Sequence, residues 1–119
     1  MEAEFDVKIE FLKGYFKDTL PKAIEENRFR CFSVLRLDGD IYQSTWESLE
    51  YLYPYLNDEG VVIVDDFCDW PGAFNAVHDF RQKYNINTPI IQVYHKEGES
   101  IRGAYFLKPK SSQSHKFCK

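Results

Sequence analysis

Two apolar runs in this chain stop at carboxylates. Ser33-Val34-Leu35-Arg36-Leu37 leads into Asp38-Gly39-Asp40, and Gly60-Val61-Val62-Ile63-Val64 leads into Asp65-Asp66. Short β-branched and aliphatic runs of this kind read as buried parallel strands with an acidic residue at the carboxyl end. In open α/β sheets ligands bind outside that edge. Two neighbouring strands ending this way would aim three or four carboxylates at one small volume. Like charges that close do not all stay ionised without a cation, so the pattern points to a divalent metal held by oxygen ligands. Taken alone, Asp65-Asp66 serves equally as a helix cap or a turn. An EF-hand starting at Asp38 is excluded, because its twelfth position is Leu49, which cannot chelate.

The elements that must position these residues follow from periodicity. Val7, Ile9 and Phe11 alternate with Lys8 and Glu10, a strand pattern over 7–12. Asp18-Thr19-Leu20-Pro21 reads as a helix start, with Asp18 or Thr19 as cap and the proline in the first turn, running to about Glu26. A second strand covers Phe29 to Leu37. Ser44-Thr45-Trp46-Glu47 is a capping-box pattern opening a helix that Pro54 should end near Tyr53 to Tyr55. Asn57-Asp58-Glu59-Gly60 reads as a turn before a strand over 61–65. A loop from Phe67 to Gly72 precedes a helix from Ala73 to Tyr84, with Ala73, Ala76, Val77 and Phe80 inward and Asp79, Arg81 and Gln82 outward. Strands over 90–94 and 101–107 flank a hairpin turn at 96–100. The order β-α-β-α-β-α-β-β predicts an α/β fold, mainly parallel, with an antiparallel strand at the end. It forms one domain over 1–108 with a polar, flexible tail over 109–119.

Bulk properties narrow the class. The chain has 119 residues, 44% hydrophobic and 17% aromatic, enough for one globular core. Its net charge of −4, without a basic stripe, argues against nucleic acid as a partner. No apolar run approaches the roughly 20 residues that span a bilayer, and the acidic amino terminus shows no signal peptide. Cys31, Cys68 and Cys118 have no ligand spacing and read as free, inert thiols, which points to the cytoplasm. His78 reads as part of a solvated helix face. The aromatic run Trp46, Tyr51, Tyr53, Tyr55 reads as core and rim.

The stretch from Leu35 to Thr45 (LRLDGDIYQST), then Leu52-Tyr53-Pro54-Tyr55-Leu56, then Gly60 to Phe67 (GVVIVDDF), closely resembles the macrocin O-methyltransferase family. Phe11 to Pro21 (FLKGYFKDTLP), Trp70-Pro71-Gly72 and Ala76 to Arg81 resemble the same family in the same order, so the resemblance covers about 7–107. It implies a partial Rossmann-like class I methyltransferase fold and an enzyme dependent on S-adenosylmethionine and Mg2+ or another divalent cation. The acceptor would be a hydroxyl of a sugar or similar small molecule. Carried over to this chain, Asp38, Asp65 and Asp66 would hold the metal, and Asp40 would be the general base. Tyr15, Phe16 and Asp18, with Lys17, would lie near the cofactor's adenine end. Tyr42 and Trp70 would face the acceptor.

One departure qualifies that reading. The family begins with a strand, a glycine-rich turn and a second strand ending in an acidic residue, and this chain has none of them. The first strands of the family fold are missing, so the strand over 33–38 should have an unpaired inner edge and 7–12 no neighbour. Such an edge calls for a cover, either a second copy of the chain or another partner. The alternative to an enzyme, active when the missing strands are supplied, is a non-catalytic relic of the fold acting as a binding or oligomerisation module. Asp-Gly-Asp is also similar to the paired aspartates of nucleotide-sugar glycosyltransferases, a third and weaker reading.

Overall fold

The computed structural model describes residues 7–65, 67, 71–94 and 101–110, with 101–102 described by their backbone alone. In chain order the elements are α1 (Phe16–Glu25), β1 (Phe32–Leu37), α2 (Tyr42–Leu52), a 3-10 turn (Tyr53–Tyr55), β2 (Leu56–Asp65), α3 (Pro71–Lys83), β3 (Ile91–Tyr94) and β4 (Ile101–Leu107). The strands form one sheet in the order β1-β2-β4-β3. β1 and β2 pair in parallel, while β4 runs antiparallel to both β2 and β3. Three strands therefore point one way, and the last strand of the chain is inserted between β2 and β3 against them. This is the predicted α/β arrangement with its terminal antiparallel strand.

The core lies between one face of this sheet and the helices α2 and α3. Leu35 and Leu37 of β1, Val62 and Val64 of β2, and Ala104 and Phe106 of β4 alternate inward, as strand pleating requires. They meet Leu49 of α2 and Val77 and Phe80 of α3. α1 contacts α2 and buries Leu20 and Ala23. α1 and α3 both end in a left-handed asparagine, Asn27 (φ 54°) and Asn85 (φ 53°). In each, the next amide reaches back five residues, Arg28 to the Ala23 carbonyl and Ile86 to the Arg81 carbonyl, both at 2.9 Å. These are Schellman stops made with asparagine in the place glycine usually takes.

The opposite face carries Val34, Val61, Ile63, Tyr105, Leu107, Ile91 and Val93, and among the described residues no helix covers it. Val34 is 52% exposed and Val93 46%. A shallow trough of about 430 Å³ runs across this face between Arg36, Val61, Ile63, Asp65, Val93 and Tyr105. Among the described residues β1 pairs with β2 alone and so lies at the edge of the sheet, with the unpaired inner edge the sequence predicts.

Several local expectations are corrected. Residues 7–12 form no strand, and Val7, Ile9 and Phe11 stand in solvent, because alternation without a neighbouring strand has nothing to pair with. α1 starts at Phe16 after Tyr15, so neither Asp18 nor Thr19 caps it and Pro21 lies inside the helix. The Thr19 hydroxyl instead donates to the Tyr15 carbonyl, 3.1 Å away. The capping box does not form: α2 begins at Tyr42 and Ser44 donates back to the Ile41 carbonyl. Pro54 does end the helix, in the 3-10 turn. The turn at 57–60 is absorbed into β2 as a bulge: Phe32 pairs with Leu56 but Val34 with Val61, and Glu59 takes φ 65°. Arg81 does not point outward but donates to the Thr88 carbonyl and lies 4.6 Å from the Phe106 ring centre. Cys31 is disulfide-bonded, contrary to the free thiol expected, and the redox argument for the cytoplasm loses that support. The hairpin turn at 96–100 and Cys68 and Cys118 lie outside the described residues.

Candidate functional site

The parallel register of β1 and β2 fixes the acidic edge. Leu37 pairs with Val64, so Asp38 and Asp65 leave adjacent strands side by side, with backbones about 5 Å apart as in any sheet. Asp38 and Asp40 are exposed and Asp65 is half-buried. The Arg36 guanidinium, two residues before Asp38 on β1, binds the Asp65 carboxylate. Pleating puts Arg36 on the helix-free face with Asp65, since Leu35 and Leu37 point into the core. Asp66 and Trp70 lie outside the described residues. Among the described residues no three Asp, Glu, His or Cys side chains gather around one point.

The Asp38-Gly39-Asp40 turn is held against the start of α2. The Thr45 hydroxyl, itself buried, donates to the Gly39 carbonyl at 2.9 Å. A Cβ on Gly39 would lie 2.6 Å from the Ser44 hydroxyl oxygen, so the turn closes this tightly because position 39 has no side chain. Immediately beyond Asp40, Ile41, Gln43, Ser44 and Glu47 form one wall of a cavity of about 380 Å³. Its other wall is Gly14, Tyr15, Phe16 and Lys17. Three of the four residues assigned to the cofactor, Tyr15, Phe16 and Lys17, thus line a cavity whose other wall begins with the residue after the predicted base. Asp18 does not line it and sits in the first turn of α1.

Tyr42 is fixed rather than free. Its ring stacks on Trp46, with planes 5° apart and centres 6.1 Å apart, and its hydroxyl donates to Asp79 of α3 at 2.8 Å. That hydrogen bond, with the negative charge of Asp79, holds the Tyr42 hydroxyl's pKa above its ordinary value. His78 is exposed and packs on the Phe74 ring, 4.3 Å between centres, which agrees with the solvated helix face expected of it.

Sequence reasoning missed Arg36 and Asp79. The signal for Arg36 was available: a residue two before a strand-end carboxylate shares its face. Asp79 carried no such signal, because its partner is 37 positions away.

The fold and the site define a class: a Rossmann-like α/β protein with acidic ends on two adjacent parallel strands and a cavity lined by the residues that follow the first of them. Residues 4–98 match the macrocin-O-methyltransferase (TylF) family, and the chain belongs to that family. It is 43% identical over 88 residues to the demethyldecarbamoylnovobiocin O-methyltransferase of Streptomyces niveus, covering 74% of this chain and 32% of that protein. It is 40% identical over 88 residues to the mycinamicin III 3''-O-methyltransferase of Micromonospora griseorubida, covering 74% of this chain and 33% of the relative. Among solved structures, the O-methyltransferase NovP superposes with a TM-score of 0.75 at 38% identity, over 88% of this chain and 39% of that one. The calicheamicin methyltransferase CalS11, at 24% identity and a TM-score of 0.63, covers 80% of this chain and 35% of its own, and shows the fold alone. The chain spans about a third of the length of the curated relatives it matches.

Proposed function

We propose that this chain carries the metal- and acceptor-binding part of an S-adenosylmethionine-dependent, Mg2+-assisted O-methyltransferase acting on a hydroxyl of a sugar or similar small molecule. The observation that carries the proposal is the register of β1 and β2, which sets Asp38 and Asp65 side by side at the strand ends, while the residues that follow Asp40 line the cavity at Tyr15–Lys17. The donor set fits a hard cation, since carboxylate oxygens are its preferred ligands. Asp38, Asp65 and Asp66 would hold it, with Arg36 releasing Asp65. A bound divalent ion would lower the pKa of an acceptor hydroxyl.

In this reading Asp40 would take the proton of the acceptor hydroxyl. S-adenosylmethionine, when bound, would supply the methyl group and leave as a neutral thioether. Such a displacement depends on positioning more than on acid chemistry. Tyr15 and Phe16 would wall the cofactor, with Asp18 behind them at the start of α1. Trp70 would face the acceptor. Tyr42 would act through its place in the fold, because its hydroxyl is already committed to Asp79.

The uncovered edge of β1 and the helix-free face are where the additional strands and helices of a longer methyltransferase would pack, or where a second copy would sit. Activity would require that cover. Calorimetry of the 119-residue protein with S-adenosylmethionine, with and without magnesium, tests the proposal. Magnesium binding is expected of the chain itself, with micromolar S-adenosylmethionine binding where a second copy supplies the cover. A folded chain that binds neither would favour the non-catalytic binding module, which the bare sheet edge also suits.

A further inference from the structure

Residues 38–41 form a short connection between β1 and α2. At its strand end this connection is held by the Leu37–Val64 pairing. At its helix end the start of α2 meets the start of α3. A Cβ placed on Gly72, in the first turn of α3, would lie 2.6 Å from the Tyr42 amide nitrogen and 3.2 Å from both the carbonyl and α carbons of Ile41. These are backbone atoms, so no rotamer change relieves the overlap. Restoring ordinary contact, about 3.5–4.0 Å between carbons, would push the two helix starts apart by roughly an ångström. Two turns further along α3, Asp79 accepts a hydrogen bond from the hydroxyl of the same Tyr42 and ties the helices together. Trp46 backs it by stacking on Tyr42 and meeting Phe80 of α3 edge-on, 5.6 Å between ring centres.

We infer that Gly72, Tyr42 and Asp79 form a positioning seam that fixes the start of α2 against α3 and so places the Asp38–Asp40 loop relative to Asp65 at the end of β2. Gly72 admits the backbone of Ile41 and Tyr42, and the Tyr42–Asp79 hydrogen bond keeps it there. A connection of four residues has little slack, so an ångström at the start of α2 reaches Asp38 and Asp40. The seam explains why Tyr42 is fixed toward α3. Its consequence for ligation rests on the metal reading given above.

Hydrogen-exchange mass spectrometry and Mn2+ binding test the seam on the 119-residue protein and its variants Gly72→Ala, Tyr42→Phe and Asn75→Ala. Asn75 is exposed on α3 outside the seam and serves as the control. Exchange across the peptide spanning 38–49 should quicken at least severalfold in Gly72→Ala and less in Tyr42→Phe, with β2 unchanged and Asn75→Ala silent. Mn2+ affinity should fall by about tenfold in Gly72→Ala, the usual scale for groups that orient metal ligands, and by less in Tyr42→Phe. If Gly72→Ala does not fold, Tyr42→Phe decides alone. Unchanged exchange in the folded variants overturns the seam, as does faster exchange with unchanged Mn2+ affinity. Should the wild type take up no Mn2+, the metal reading fails while exchange still judges the seam.

Discussion

At the scale of single residues, the acidic edge comes with its own counter-charge. Arg36 holds Asp65, so a divalent ion entering there must displace a guanidinium. Arg36→Gln should therefore tighten Mn2+ binding severalfold while changing stability by less than about 1 kcal/mol, as expected of an exposed pair. Calorimetry and thermal melts would show both. Asp79→Asn should lower the Tyr42 pKa back toward 10, seen as an earlier tyrosinate absorbance change in a pH titration. Tyr53 gives a second, separate pH effect. Burial, the largest cause, pushes its hydroxyl's pKa well above 10, so the folded chain keeps a proton that the unfolded chain loses. The stability this supplies is complete below pH 10 and declines as pH rises past it, by at most about 1.4 kcal/mol per pH unit. Lys108 works oppositely: burial lowers its pKa, so its contribution improves with pH up to the unfolded value of 10.5. Denaturant unfolding above pH 10 should separate the two, with Tyr53→Phe losing less stability than wild type. Asp38 and Asp65 were legible as strand-end carboxylates because an apolar run ending in acid is a local pattern. The Arg36–Asp65 pair and Lys108, whose ammonium donates to the Tyr53 and Leu56 carbonyls, depend on contacts between distant segments.

At the scale of elements, the fold rests on α2 and α3 packed on one sheet face, and fully buried Leu49 sits at that junction. Leu49→Ala should cost about 2–5 kcal/mol in chemical denaturation, the usual range for a buried leucine. The asparagine stops offer the reverse test. Asn85→Gly should be neutral or stabilise slightly, whereas a β-branched residue there should cost about 1–2 kcal/mol for its left-handed backbone. β1, the apolar part of β2, α3, β3 and β4 were readable from periodicity and turn chemistry, because their patterns match the faces they bury. Residues 7–12 were misread because strand alternation says nothing about whether a partner strand exists. The Ser44–Glu47 capping box failed for a different reason. Thr45 binds the Gly39 carbonyl, which draws the start of α2 back to Tyr42 and leaves Ser44 inside the helix.

At the scale of the whole molecule, one face of the sheet is covered and, among the described residues, the other is not. Val34, Ile91, Val93 and Leu107 are all at least 42% exposed, a larger run of apolar surface than scattered surface residues explain. The family relatives are about three times as long as the part matched here. The edge position of β1 was legible in the absent glycine-rich turn, but the bare face was not, since it depends on where α1, α2 and α3 fall. The chain as it stands should bind an apolar dye in its native state, and Val34→Lys should reduce that signal without lowering the melting temperature. The central claim is that the paired strand ends hold a divalent cation. The most direct measurement is an electron paramagnetic resonance titration of the wild-type chain, Asp38→Asn and Asp65→Asn with Mn2+. One bound ion per wild-type chain, lost in both variants, is the predicted result; no bound ion, or binding indifferent to both substitutions, would contradict the account.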